Sequence, residues 1–423
     1  MHRTAAYRTK TSRIFIYFFD SGTGTHGNMA DEGFLTRKFG EGVENYYSGS
    51  PLNRLAFLRT NHSYLSAALR HPSTRFLLLN NLDPLASTPS TLAFVSYDDV
   101  SSLVSNPYSL TEQETLETFT STIDRPVLIF LGIDESAPSE HAIATPDGRY
   151  TGQAYFSLDV TPYPHTSYSS TANDLLKTIK ENYPTCEFKT ARKDLNLGNQ
   201  HAAIYASART LTNWNVTAPF CAGCGQKTLS VNAGTKRACP PKDGGVETRK
   251  CPSREGVHNI NFPRTDPTVI MAVISSDGTE ILLGRQKKWP KYWYSTLAGF
   301  LEPGESIEEA VRREVWEESG VTVGRVVIHS SQPWPFPASL MIGAIGEALP
   351  GKEEIYLGND PELEGAKWFG FDEVREALGF TSGLYEGAPE GYREGALRLP
   401  PKTAIANQLI RAVVLGGIHL AKM

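Results

Sequence analysis

The residues best able to do chemistry lie between positions 299 and 320, where Gly299, Glu305, Arg313, Glu314, Glu317, Glu318 and Gly320 follow one another in the stretch GFLEPGESIEEAVRREVWEESG. On a helix, Glu314 and Glu318 are i,i+4 and Glu317 is three residues from Glu314, so three carboxylates converge on one face. Carboxylates so placed repel unless a cation sits among them. Hard oxygen donors of this kind suit Mg²⁺ or Mn²⁺, which keep several waters and also bind phosphates. The chemistry that follows is metal-assisted hydrolysis of a phosphoanhydride, the ions offsetting diphosphate charge and lowering the pKa of a bound water. Arg313 can hold Glu305 or one of the catalytic glutamates through its guanidinium fork. A solvated helix face accounts for any one of these glutamates, but not for the whole pattern with its loop glycines and cap.

A second set is made of sulfur. Four of the five cysteines, Cys221, Cys224, Cys239 and Cys251, cluster in sequence, and the Cys221-Ala-Gly-Cys224-Gly knuckle turns on glycines. A Cys-x₂-Cys without a secretory signal favours a tetrahedral site for one structural zinc over disulfides. Cys239 and Cys251 complete the set, with His258 as a rival to Cys251. The segment Ser331 to Met341, SQPWPFPASLM, is a third constellation. Trp334 and Phe336 among prolines form a rigid aromatic platform for a flat ring, while Gln332 and Ser339 can hydrogen-bond a ribose or an amide.

The elements that must position these residues are legible from periodicity. Ser306 caps a helix with Glu309 at the capping-box position, and Gly320 ends it. Thr268 to Ile274 and Glu280 to Arg285 read as strands joined by a hairpin at Ser275 to Gly278. Further strands are expected at Arg325 to His329, Ser339 to Ala348 and Ala366 to Gly370, and an amphipathic helix near Thr403 to Leu415. Upstream, alternating apolar segments such as Phe76 to Leu79, Val127 to Gly132 and Ala154 to Val160 indicate a mixed α/β domain. Its helices are expected at Thr111 to Asp124, Asp174 to Tyr183 and Gly198 to Trp214. The division is then 1–28, a basic leader or an extension ahead of Met29; 29–215, the amino-terminal domain; 216–262, the cysteine ribbon; 263–418, the carboxylate domain; and 419–423, a tail. A length of 423 residues fits this count. Net charge −5 supplies no global field for nucleic acid, so a polyanionic substrate must be bound locally. No apolar run reaches membrane-spanning length.

The stretch from Gly299 to Val321 matches the Nudix signature at every defined position, and SQPWPFPxS is similar to the array that marks the NADH pyrophosphatase subfamily. The resemblance extends to Pro51-Leu52-Asn53-Arg54-Leu55, to Phe220 to Gly225 (FCAGCG) and to Phe262 to Pro267. It implies an α+β chain with a mixed α/β amino-terminal domain, a small zinc ribbon and a carboxy-terminal Nudix α/β/α sandwich. It also implies that two or three Mg²⁺ or Mn²⁺ ions are held by Glu314, Glu317, Glu318, the more distal Glu362 and the Ala298 carbonyl, Glu364 being the competitor of Glu362. Substrate would meet Phe262, Phe300, the array Gln332, Pro333, Trp334, Pro335, Phe336, Pro337, Ala338 and Ser339, and Ala406 on the last helix. The implied reaction is hydrolysis of NADH, and less well of NAD⁺, to reduced nicotinamide mononucleotide and AMP. Removal of an NAD cap from RNA is the alternative on the same site, against which the net charge weighs; a vestigial site beside a ribbon-type binding module is a further one, against which the intact carboxylates weigh. A homodimer is a further expectation. Ala421-Lys422-Met423 resembles the Ser-Lys-Leu type of address read by a peroxisomal import receptor, which places the enzyme in peroxisomes.

Overall fold

The unbroken apolar run Phe76 to Leu79 in β1 (Arg75–Asn80) buries both faces of a sheet. Phe76 and Leu78 pack under the helices His62–Arg70, Tyr97–Val104 and Ser169–Asn182, while Leu77 and Leu79 pack against the long helix Asn199–Thr217 through Ala202, Tyr205 and Ala208. The computed structural model describes residues 36, 42–255 and 261–416. The leader, His258 and the tripeptide at 421–423 lie outside the described residues. The first sheet runs β3 (Thr91–Leu92), β2 (Asp83–Thr88), β1, β6 (Thr151–Asp159), β4 (Leu128–Asp134). In addition, β5 (Ile143–Ala144) pairs with β6 and β7 (Glu187–Phe188) with β2. Of these pairs β1 and β6 are parallel.

Two of the expected helices extend beyond their predicted starts or ends, and the one expected over 111–124 stops at Glu117. Phe119 leaves the helical path and is buried against Leu229 and Val231 of the cysteine ribbon. Tertiary burial there overrides local propensity. The ribbon itself consists of two small hairpins, β8 (Leu229–Val231) with β9 (Lys236–Ala238) and β10 (Lys242–Asp243) with β11 (Val246–Glu247).

The second sheet runs β15 (Val323–Trp334), β16 (Ser339–Ala348), β12 (Asp266–Ile274), β13 (Glu280–Arg285), β17 (Gly365–Gly370), with β14 (Leu297–Phe300) paired to β12. Val269, Met271 and Val273 of β12 face the helix Ile307–Ser319. Ile270 and Ala272 face the helices Phe371–Ala377 and Ile405–Val414. This is an α/β/α sandwich. The β12–β13 hairpin turns where expected, with Ser275 N–H donating to Glu280 O and Gly278 at φ 74°. The strand expected over 325–329 is longer, because β15 continues through Pro333 to Trp334, which lies opposite Ser339. The prolines of SQPWPFPAS therefore sit in a hairpin rather than after a strand. No helix among the described residues is long and apolar enough to cross a membrane.

Candidate active site

Ser306 caps the carboxylate helix reciprocally with Glu309, and Gly320 ends it in the left-handed region. Between these caps Arg313 organises the carboxylates. Its Nε and Nη2 donate to the two oxygens of Glu305 at 2.6 and 2.8 Å, its Nη1 donates to Glu314 at 2.8 Å and Glu317 at 2.9 Å, and its Nη2 also reaches the Phe300 carbonyl at 2.8 Å. The bidentate contact with Arg313 holds the Glu305 carboxyl down at about 2. Glu314 lies over β14 so closely that a Cβ on Gly299 would stand 1.9–2.3 Å from its carboxylate. Only glycine admits that approach, and it brings the Glu314 carboxylate against the strand that carries Ala298.

Glu318 is 4% exposed, and its Oε2 has no hydrogen-bond partner. Burial, followed by the negative charges of Glu362, Glu314, Asp360 and Glu317, pushes its pKa up to about 9. Burial also raises that of Glu314, against the pull of Arg313. An orphaned carboxylate oxygen among four other carboxylates is the donor chemistry of a hard divalent cation. Glu362 faces this group and accepts from Gln286 Nε2 at 2.5 Å, whereas Glu364 is engaged by Arg285. The carboxylates do not gather as tightly as the cysteine sulfurs do. Among the described residues the cysteine set is the one group whose ligand atoms all lie within 4.8 Å of one another.

At the β15–β16 turn, Trp334 and Phe336 lie with ring centroids 5.3 Å apart at 67°. Four side chains that the sequence did not single out surround them. Tyr47 meets both rings edge-on, the Arg192 guanidinium lies 5.8 Å from the Trp334 centroid and 5.4 Å from that of Phe336, and Tyr385 stands beside Arg192. Arg209 lies under Phe336 and donates to the Pro335 carbonyl. Local pattern held no signal for these, because they come from segments remote in sequence. The platform thus joins the two sheets, with Pro335 buried, Pro333 and Ala338 half-buried and Pro337 exposed.

Two residues expected on the substrate side are held within the fold. Gln332 is buried, its Nε2 donating to the carbonyls of Tyr46 and Thr403 and its Oε1 accepting from Ile405 N–H. Both amide hydrogens are spent on backbone, so it clamps the fold rather than donating to a ligand. Ala406 is buried in the apolar core behind the sheet. Ser339 is buried at the start of β16. Phe300 and Phe262 are exposed, Phe262 under the Lys236 ammonium at 5.1 Å.

The four ribbon cysteines are buried free thiols, with Cys221 and Cys251 sulfurs 3.6 Å apart and those of Cys224 and Cys239 3.5 Å apart. A disulfide needs about 2.05 Å. Tetrahedral zinc with bonds of about 2.3 Å separates its sulfurs by roughly 3.8 Å, close to what is seen. Burial pushes the Cys239 thiol up, a cost that a cation displacing the protons removes. The Cys251 sulfur lies with the other three in one group that could hold a metal ion.

Residues 264–388 match the NUDIX domain, which defines the class to which the carboxylate helix and its sandwich belong. Residues 73–214 match the NADH pyrophosphatase-like rudimentary NUDIX domain, which covers the first sheet and its helices. The NAD-capped RNA hydrolase of Schizosaccharomyces pombe is 36% identical over 87% of this chain and 92% of its own length. The human NAD-capped RNA hydrolase is 36% identical over 89% of this chain and 75% of its own length. The human mitochondrial NAD(P)H pyrophosphatase is 39% identical over 61% of this chain and 67% of its own length. The chain belongs to the Nudix hydrolases that carry this rudimentary domain ahead of the catalytic one.

Proposed function

We propose that this enzyme hydrolyses the diphosphate of NAD joined to the 5′ end of RNA, releasing nicotinamide mononucleotide and leaving a 5′-monophosphate. The observation that carries this reading is the likeness to the capped-RNA hydrolase of Schizosaccharomyces pombe along 92% of its length, rather than over the Nudix domain alone. It replaces free NADH as the preferred substrate, and the overall charge of −5 does not oppose it, because the basic surface is local. Exposed Lys287 and Lys288 directly follow Gln286, which is bonded to Glu362, and exposed Lys291 lies three residues on, so the segment next to the carboxylates carries cations that RNA phosphates would meet. Free NADH is the second reading, favoured by the likeness to the NAD(P)H pyrophosphatase.

In this reading Glu314, Glu317, Glu318 and Glu362, with the Ala298 carbonyl, hold Mg²⁺ or Mn²⁺, and the ions supply diphosphate neutralisation and an acidified water. Arg313 and Glu305 keep the glutamates in place. Trp334, Phe336 and Phe300 offer faces for flat rings. The ribbon holds one zinc that stabilises the fold and takes no part in the chemistry. A second copy of the chain and peroxisomal import through Ala421-Lys422-Met423 are further proposals, the first tested by light scattering. The deciding experiment is product analysis with NAD-capped RNA, NADH, NAD⁺ and ADP-ribose in Mg²⁺ or Mn²⁺. Replacing Lys287, Lys288 and Lys291 by Ala should lower turnover of capped RNA and leave NADH hydrolysis unchanged. Equal loss on both substrates, or no hydrolysis of capped RNA by the wild type, overturns the capped-RNA reading.

A further inference from the structure

The segment Asn45–Tyr47 lies outside both matched Nudix-type domains, yet it is bound into the second. The Asn45 side chain is buried and donates to Ser330 Oγ at 3.0 Å and to the Ser331 carbonyl at 2.8 Å. Gln332 donates to the Tyr46 carbonyl at 3.0 Å, and the Tyr46 hydroxyl donates to the Leu197 carbonyl at 2.9 Å. These bonds strap the segment along β15 and tie it to the first sandwich. The next residue, Tyr47, has φ 72°. A bulky side chain rarely adopts that conformation, and the surrounding bonds must impose it.

The strained backbone aims the Tyr47 ring at the platform. Its centroid lies 6.0 Å from Trp334 at 79° and 6.2 Å from Phe336 at 71°, so the three rings form a closed set of edge-to-face contacts. Edge-to-face geometry restricts ring rotation as well as position. We propose that Tyr47 is a positioning residue for substrate selection: strapped to β15 through Asn45 and Gln332, it fixes the orientation of Trp334 and Phe336, the pair that a flat ring of the substrate meets. The proposal rests on the dinucleotide reading of the site. Tyr47 acts through the two platform rings and does not reach the carboxylates.

The test is a double-mutant cycle on the full chain, with Tyr47→Ala, Trp334→Ala and the pair, read as kcat and KM separately for NADH and for capped RNA. Losing both edge-to-face contacts should raise KM about tenfold with kcat within about threefold. Tyr47→Phe should restore the wild-type KM, because the ring rather than the hydroxyl makes both contacts. In the cycle the effect of Tyr47→Ala should shrink in the Trp334→Ala background to the part carried through Phe336, since the Trp334 ring is no longer there to position. Additive effects, an unchanged KM in Tyr47→Ala, or a fall in kcat that tracks lost thermal stability would overturn the proposal. Should the wild type hydrolyse neither substrate, the dinucleotide reading fails by itself. The same cycle read by calorimetric binding of AMP then decides the positioning role: coupled losses support it and additive or absent losses reject it.

Discussion

Replacing Glu318 by Gln should make the protein more stable and catalytically dead at the same time. In the absence of added divalent cation, Glu318 has a folded pKa of about 9, raised by burial and by neighbouring carboxylates, against about 4.3 for an unperturbed glutamate. The folded state therefore holds the proton more tightly than the unfolded state. The stability associated with it is complete below about pH 4.3 and is lost progressively as pH rises through the folded value. At pH 8 the gap from the unfolded value is between three and four pKa units, which at 1.36 kcal/mol each amounts to roughly 5 kcal/mol of lost stability. The amide of Gln escapes that loss but leaves buried polar atoms without partners, a cost of about 1–3 kcal/mol. The net gain is about 2–4 kcal/mol. Unfolding entropy of about 2.1 cal/mol/K per residue makes each kcal/mol worth about 1 °C in Tm for a chain of 423 residues. The assay is calorimetry of zinc-replete wild type and Glu318→Gln between pH 5 and 8, with and without Mg²⁺. Without Mg²⁺ the variant should melt about 2–4 °C higher at pH 8, and the difference should close toward pH 5, where the unfolded-state carboxyl nears its own pKa and folding takes up little extra proton. Saturating Mg²⁺ should stabilise the wild type alone, and the variant should have no turnover. A variant less stable than wild type at pH 8 without Mg²⁺, or a difference independent of pH, would refute the reasoning.

Gly299→Ala places a Cβ within 1.9–2.3 Å of the Glu314 carboxylate; kcat should fall by at least about a hundredfold, since an ångström-scale displacement of a catalytic group costs that much, and circular dichroism should remain unchanged. In Cys224→Ser, elemental analysis should find the loss of the single zinc and calorimetry a lower Tm, because metal binding in modules of this kind contributes about 10–16 kcal/mol of folding free energy; retention of stoichiometric zinc would remove Cys224 from the ligand set. A fluorescent protein fused at the amino-terminus should collect in peroxisomes and return to the cytosol when residues 421–423 are deleted, whereas a diffuse signal from the intact fusion would reject the address.

What could be read in advance divides along a physical line. The carboxylate helix was legible because cap, periodicity and terminal glycine are local devices: Ser306, Glu309 and Gly320 act within a few residues of themselves. The Cys221–Cys224 knuckle was legible for the same reason, and its completion by Cys239 and Cys251 needed only a shared ion. The platform was legible as two aromatic residues among prolines, but not as a surface, because half of it comes from elsewhere. Tyr47 and Arg192 reach it from the amino-terminal part of the chain, and no window of sequence contains both partners of those contacts. Gln332 shows the converse. Its side chain suits a ribose as well as a backbone, and chemistry alone assigned it to the ligand; burial and three backbone partners reassign it to the fold. The same rule explains why the helix expected past Glu117 stops early: the competing partner of Phe119 is a ribbon more than a hundred residues later. A polar residue inside a motif can thus be kept either for what it binds or for what it holds together. Its remaining hydrogen-bonding capacity separates the two: Glu318 keeps one buried oxygen free for a ligand, whereas the amide of Gln332 is spent on backbone.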